Sequence, residues 1–208
     1  MVVMARRLAN LHLGLLLFGL SIALMVRSQL GLASWDVLHQ GIAQRCGLRF
    51  GVVVIAVAVV VLLLWVPLHQ RPGFGTLSNV VVVGLAADLA LDLLPSAHGL
   101  AARGTLLAAG ILINGVATGL YIGAGLGPGP RDGLMTGLAA RGCSIRTART
   151  AIEISVLVAG WLLGGSVGVG TVLYAASIGP LVHYLLPKLT VPIAATAVPT
   201  PTTEGRPL

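Results

Sequence analysis

Charged residues are scarce in this chain. Asp, Glu, Lys and Arg make up 9% of its 208 residues, whereas hydrophobic residues make up 56% and the mean hydropathy is +0.97. A soluble chain of this length needs far more polar surface to cover its core, so a soluble globular protein is excluded. The net charge is +7, but the basic residues stand singly or in pairs without an aromatic platform, which argues against nucleic-acid binding.

Cysteines and catalytic motifs are also sparse. Cys46 and Cys143 are too few for a disulfide framework and form no C-x-x-C or Cys/His spacing, so we expect packing residues and no metal site. The chain contains no H-E-x-x-H and no phosphate-loop sequence. We therefore expect no enzyme activity and no cofactor.

Long apolar runs dominate what is present. They occupy residues 8–26, 51–68, 77–94, 105–124, 151–168 and 171–186. A helix needs about 20 residues to cross about 30 Å of hydrocarbon, and flanking groups that reach the interface allow fewer. The basic residues lie at the ends of these runs, where they set topology. The chain is therefore predicted to be an all-α, polytopic membrane protein.

A segment near the start of the chain recurs at an offset of 96 residues. Residues 31–46, GLASWDVLHQGIAQRC, match residues 127–142, GPGPRDGLMTGLAARG, at six of sixteen positions. Further along, GFGT is followed by GVGT in the same order. The pattern predicts two tandem repeats, residues 1–99 and 100–188, each with three long transmembrane helices and one short helix. Residues 189–208, rich in Pro and Thr, are predicted to form a disordered tail.

The short helices are predicted over residues 34–46 and 131–143. Thirteen residues reach about 20 Å, less than the hydrocarbon thickness, so these helices tilt, break or re-enter. If they cross, the halves are parallel and ten Lys and Arg lie inside against three outside; if they re-enter, the halves are inverted and the count is nine against four. The positive-inside rule favours the parallel arrangement by one residue. Both arrangements place the two termini in the cytoplasm.

Asp36 and Asp132 occupy matched positions in the first turns of the short helices. Each carboxylate either complements the helix dipole and the free N–H groups or faces a polar pathway, because ionisable groups are costly inside a membrane. Arg131 is either an interfacial anchor or an anion contact, and Trp35 is predicted to be an interfacial aromatic residue. Glu153 follows Arg149 by four residues, which favours an ion pair along one helix face. The candidates for a substrate or ion pathway are Asp36, His39, Arg131, Asp132 and Glu153.

Two blocks of sequence resemble the two halves of the YczE-like bacterial membrane proteins, which are grouped with YitT and YyaS. These blocks are GLASWDVLHQGIAQRCGLRFG and GLGPGPRDGLMTGLAARGCSIRTARTAIEISVLVAGWLLGGSVGVGTVLYAASIGPLV. The second is the more specific because the R-D-G run, the R-x-x-R-x-x-x-E spacing and the G-x-G-T stretch occur together. Ala33-Ser34 stands where the family tends to have Gly-Pro. The resemblance implies an integral protein of the bacterial inner membrane, associated in some bacteria with lipopeptide production, and it assigns no site.

Two classes of function fit these features. The first is a small secondary transporter or exporter of a small molecule, since interrupted segments at matched positions in two halves point to a transport site. The second is a non-transporting membrane accessory that supports a biosynthetic or assembly partner. The expected partners are the lipid bilayer and a small molecule, not nucleic acid, and a homo-oligomer is left open.

Overall fold

The structure, a computed structural model, describes residues 2–191, which fold into eight α-helices. In chain order these are α1 (Val2–Ser28), α2 (Ser34–Cys46), α3 (Phe50–Trp65), α4 (Phe74–Leu93), α5 (Leu100–Gly123), α6 (Pro130–Ala139), α7 (Ile145–Leu162) and α8 (Val169–Leu189). Within residues 2–191, four helices are long and apolar enough to cross a membrane, namely α1, α4, α5 and α8. The all-α class is confirmed. Helices α3 and α7, predicted to be full spans, are not among these four: α3 has 16 residues, and α7 has 18 but carries Arg146, Arg149 and Glu153. Helices α2 and α3 form a pair bent by 116°. The predicted tail lies mostly outside the described residues.

Local sequence explains the bounds of the short helices. Helix α2 has the predicted limits because Gly47 follows it with a φ of +63°, the left-handed conformation that ends helices. Helix α6 begins with Pro130, whose missing N–H costs nothing at a first helical position. It ends at Ala139, earlier than predicted, because residues 140–142 turn and Gly142 takes a φ of +94°.

Two arginines show that α1 and α5 run antiparallel. Arg7, near the start of α1, donates from Nε to the Ala124 carbonyl oxygen and from Nη2 to that of Gly125, both at 2.6 Å. Arg103, near the start of α5, donates from Nε to the carbonyl oxygen of Ser28 at 2.7 Å and from Nη2 to that of Gln29 at 2.5 Å. Each guanidinium thus satisfies free carbonyls at the end of the other helix. The predicted parallel arrangement of the halves is wrong for their first helices.

The remaining long helices lie parallel to one of these two. Arg27, at the end of α1, donates to the Leu91 carbonyl at the end of α4, so α1 and α4 run in the same direction. The Val191 N–H donates to the Gly123 carbonyl at 3.0 Å, which brings the ends of α8 and α5 together. We call the end that holds the starts of α1 and α4 the N-terminal end of the bundle, and the other the opposite end.

Helix α1 forms the centre of the core. Leu11, Leu15, Ile22 and Met25 are fully buried along it. They face α4 and α5, which flank α1 on two sides. The outward-facing leucines and valines of the other long helices are exposed in the isolated chain, as expected for side chains that contact lipid.

The segments that lead into α2 and α6 turn back into the bundle from opposite ends. Gly75, in the first turn of α4, donates its N–H to the Leu126 carbonyl at 2.8 Å, and Gly170, in the first turn of α8, donates to the Leu30 carbonyl at 2.7 Å. At 1.5 Å per residue, the 24 residues of α5 separate the two ends of the α1–α5 pair by about 36 Å. Nevertheless Arg131 Nη2, at the start of α6, lies 3.6 Å from Asp36 Oδ1, at the start of α2. The short helices therefore begin inside the bundle and re-enter.

Two glycines make this inward path sterically feasible. Gly31 has a φ of +115° and Gly127 a φ of +127°, a backbone region that side chains rarely adopt. A Cβ on Gly31 would lie 2.7 Å from Thr171 Oγ1, and a Cβ on Gly127 would lie 2.8 Å from Thr76 Oγ1. Both positions of the repeated sequence thus require glycine for conformation and for close packing.

Helices α3 and α7 occupy different surroundings. Helix α3 packs closely on α4, where a Cβ on Gly84 would lie 2.6 Å from the Gly51 carbonyl oxygen. Helix α7 instead packs on α2, where Gly160 abuts the Leu38 backbone. It makes few contacts with α8, and within residues 2–191 no atom lies near enough to touch a Cβ on Gly179 of α8. The two halves therefore differ in how tightly the third helix meets the fourth.

Candidate functional site

A cavity of about 390 Å³ lies where the starts of α2 and α6 meet. Its polar lining includes Trp35, His39, Tyr121, Arg131, Asp132 and Glu153. Its apolar lining includes Val54, Val61, Val83, Ile122, Ile178 and Val182. Four of the five predicted pathway residues thus line one cavity, and the fifth, Asp36, contacts two of them.

Asp36 is buried behind the cavity wall with two partners. Its side chain is 2% exposed, and Oδ1 lies 3.2 Å from His39 Nδ1 and 3.6 Å from Arg131 Nη2. His39 is 1% exposed and packs edge-on against the Phe50 ring. Neither α2 nor α6 has a side-chain cap at its start. Asp36 therefore complements the helix dipole without a capping hydrogen bond, and it holds Arg131 electrostatically.

Arg131 joins the two short helices. Its Cζ lies 5.0 Å from the centre of the Trp35 ring, in cation–π geometry. The side chain is 28% exposed and reaches Asp36 inside the bundle. Trp35 is 5% exposed, so its predicted interfacial position is wrong: contact with Arg131 and with the apolar side chains Val61 and Leu134 buries it. The interfacial-anchor interpretation of Arg131 is likewise not supported.

Asp132 and the start of α6 are held by aromatic side chains. The Tyr121 hydroxyl donates to Asp132 Oδ2 at 2.8 Å. The Trp65 indole Nε1 donates to the Pro130 carbonyl at 2.9 Å, and a Cβ on Gly133 would overlap the Trp65 ring. Sequence reasoning missed Trp65 and Tyr121, because their partners lie on other helices and no local pattern links them.

The carboxylates outside the short helices divide into two groups. Glu153 and Arg149 both line the cavity, but within residues 2–191 they do not form the predicted ion pair, because no nitrogen of Arg149 lies within 4.0 Å of a Glu153 carboxylate oxygen. Asp88 and Asp92 pair with Arg49 near the opposite end, away from the cavity. The neighbouring carboxylates raise the pKa of Arg49 above its ordinary value, first through the hydrogen bond to Asp92.

A buried amide connects three long helices beside the cavity. Asn114 of α5 donates from Nδ2 to Ser21 Oγ of α1 at 2.8 Å. The hydroxyl of Tyr174 on α8, another residue of the cavity wall, donates to Asn114 Oδ1 at 3.0 Å. Such bonds between helices are a recognised source of cohesion inside membranes.

One serine stands in a spacing that also occurs in hydrolases. Residues 164–168 read GGSVG, the G-x-S-x-G pattern. A nucleophile elbow lies between a strand and a helix, with the serine beside a histidine. Here Ser166 follows helix α7, and its backbone N–H donates to Gln40 Oε1 at 2.7 Å. The segment connects α7 to α8 and bonds to α2, and it lacks the strand-to-helix turn of an elbow.

The apolar helices and the two re-entering segments define a polytopic α-helical membrane protein. The chain belongs to the family of unknown function DUF6198, whose sequence model matches residues 5–187. It is 43% identical over 180 residues to an uncharacterised protein of Haemophilus influenzae, covering 84% of this chain and 83% of the relative. It is 30% identical to the uncharacterised membrane protein YczE of Bacillus subtilis, covering 84% and 83%, and 27% identical to YyaS of the same organism, covering 84% and 90%. The predicted resemblance is thereby confirmed, and no solved structure matches the chain.

Proposed function

We propose that this protein is a small secondary transporter of the bacterial inner membrane, an exporter whose substrate occupies the cavity between α2 and α6. One observation carries the proposal. Two short helices enter the bundle from opposite ends and begin beside each other at a polar cavity, with Arg131 3.6 Å from Asp36. In secondary transporters, discontinuous helices of inverted repeats commonly build the substrate site in this way.

Matched contacts support an inverted internal repeat. Arg7 and Arg103 are 96 residues apart, and the carbonyls of their partners, Ala124 and Ser28, are also 96 residues apart. Gly75 and Gly170 likewise bond the matched carbonyls of Leu126 and Leu30. In these two contacts each half meets the other in the same way, as two antiparallel copies of one unit would.

The departure from this symmetry supports alternating access. Between α7 and α8 the cavity extends toward the N-terminal end, where Arg149 is exposed near the start of α7. The matched route between α3 and α4 is closed by Gly51 and Gly84. In the alternate state the halves exchange these arrangements, so that α7 closes on α8 and α3 separates from α4.

Basic residues orient this state in the membrane. The basic residues at the N-terminal end of the described chain are Arg6, Arg7, Arg71, Arg141, Arg146, Arg149 and Lys188, and those at the opposite end are Arg27, Arg45, Arg49 and Arg103. The positive-inside rule places the richer end in the cytoplasm. The N-terminus is then cytoplasmic, and the cavity faces the cytoplasm.

The proposal is tested by comparing metabolites inside and outside cells that lack the protein. The deletion strain is complemented with wild type, with the double variant Asp36→Asn/Asp132→Asn, or with Asp92→Asn, a control whose exposed carboxylate lies away from the cavity. A compound that accumulates inside and is restored outside by wild type and Asp92→Asn, but not by the double variant, supports export. A compound missing from both compartments and restored equally by all three versions overturns it.

That second outcome corresponds to the accessory function, which one observation favours. Helix α8 is the least covered of the four long helices. In its most apolar stretch, 11% of the residues are buried, compared with 44% or more in the other three. A partner helix seated on α8 accounts for this exposure without a transport path.

A further inference from the structure

The fixed charges around the cavity sum to nearly zero. Asp36, Asp132 and Glu153 contribute three negative charges, and Arg131 and Arg149 contribute two positive charges. The starts of α2 and α6 add about half a positive charge each. Because an uncompensated charge is costly inside a membrane, a ligand without net charge fits this cavity best.

Hydrogen-bond donors are concentrated at one side of the cavity. At the start of α2 the N–H groups of Ser34 and Trp35 have no side-chain cap, whereas that of Asp36 donates to the Ala33 carbonyl. At the start of α6, Pro130 has no N–H, and the N–H groups of Arg131 and Asp132 have no side-chain cap. These uncapped groups are free for an acceptor. Arg131 lies 3.6 Å from Asp36, beyond hydrogen-bond distance, and keeps donors for a second partner. The indole Nε1 of Trp35, another lining residue, is buried and has no acceptor within residues 2–191. This combination suits a carboxylate, which accepts several hydrogen bonds at once.

A free acceptor lines the same cavity. Glu153 has no basic partner within 4.0 Å in the described part of the chain. Asp132 already accepts from Tyr121, which leaves Glu153 as the group best placed to receive an ammonium ion. The valine and isoleucine side chains that line the rest of the cavity suit an apolar body.

We propose that the substrate is a small zwitterion with an apolar side chain, of the amino-acid class. Its carboxylate binds Arg131 and the free N–H groups at the starts of α2 and α6, and its ammonium group binds Glu153. This inference rests on the proposed transport function, of which it names the substrate class. A cavity of about 390 Å³ lies at the lower end of the range for small-molecule sites.

The test compares three matched sets of probes on the purified full-length protein in lipid nanodiscs. The probes are the apolar amino acids, their amides, which lack the carboxylate, and their N-acetyl derivatives, which lack the ammonium group. Thermal stabilisation reports binding, because a ligand that binds only the folded state raises the melting temperature. We expect stabilisation by at least one free amino acid and binding about tenfold or more weaker for its amide and its N-acetyl derivative.

Variants identify the groups involved. Glu153→Gln removes the ammonium partner while keeping the side-chain shape, and Asp92→Asn is the control; the first should abolish the stabilisation and the second preserve it. Equal binding of the amide overturns the carboxylate contact, and equal binding by Glu153→Gln overturns the ammonium contact. Stabilisation by no amino acid overturns the substrate class. Transport itself is tested separately, by the metabolite comparison and by whether a reagent added on either side of the membrane reaches the cavity.

Discussion

The close contact between α3 and α4 gives the most direct prediction on stability. An added Cβ on Gly84 would lie 2.6 Å from the Gly51 carbonyl oxygen and 2.6 Å from Ile55 Cγ1. Both distances are too short for non-bonded atoms, so Gly84→Ala must push α3 away from α4. Gly104→Ala, in the interior of α5, is the matched control because no atom lies within 4 Å of its added Cβ.

The magnitude follows from two opposing effects. Replacing glycine with alanine inside a helix stabilises it by about 1 kcal/mol, and this gain is common to both variants. Overpacking at a close contact costs about 1–3 kcal/mol, and this cost applies to Gly84→Ala alone. We therefore expect Gly84→Ala to be less stable than Gly104→Ala by about 1–3 kcal/mol.

The free energy of unfolding can be measured by titration with dodecyl sulfate in mixed micelles, followed by tryptophan fluorescence. The same strain acts on the proposed transport cycle, because it disfavours the state in which α3 is closed on α4. A shift of 1–3 kcal/mol corresponds to a roughly 5- to 150-fold change in the ratio of the two states. If Gly84→Ala is as stable as Gly104→Ala, α3 and α4 do not meet as described.

Three further predictions concern side-chain hydrogen bonds between helices and use the same titration. Arg103→Gln removes the guanidinium that binds the carbonyls of Ser28 and Gln29, and it should lower the free energy of unfolding by about 1.5–3 kcal/mol. Arg6→Gln is the control, and an equally large effect there would mean that the loss of a positive charge alone explains the cost. Trp65→Phe removes the donor to the Pro130 carbonyl and should cost about 1 kcal/mol; an unchanged midpoint would mean that this bond does not hold α6. Asn114→Leu leaves the hydroxyls of Ser21 and Tyr174 without their amide partner and should cost about 1–2 kcal/mol, and a gain in stability would refute that role.

The sequence predicted local features well because they depend on nearby residues. The limits of α2 follow from the glycines that flank it, and the short helices stand out because residues 31–46 recur at residues 127–142. The direction of the halves was mispredicted because the charge count separated two topologies by one residue. What decides the direction is the path of the segments before α2 and α6, which depends on long-range contacts such as Gly75 with Leu126.

The candidate site was predicted in part for the same reason. Asp36 and Arg131 could be selected because ionisable residues are rare in apolar runs, but their 3.6 Å contact joins residues 95 positions apart. The predicted Arg149–Glu153 pair followed from helical spacing alone, whereas in the structure both side chains line the cavity. The sequence did not predict the contacts of Tyr121, Tyr174 and Trp65, because aromatic residues are common in membrane helices whether or not they line a site.

A transporter of this kind requires that its cavity be reached from both faces of the membrane in turn. Ser34 lines this cavity, so a single cysteine placed there, with Cys46 and Cys143 replaced by serine, can be labelled by an impermeant maleimide from either side. Alternating access predicts fast labelling from the cytoplasmic face and slower labelling from the other face, with the second rate increased by Gly84→Ala. Labelling from one face alone, unchanged by Gly84→Ala, would contradict transport through this cavity.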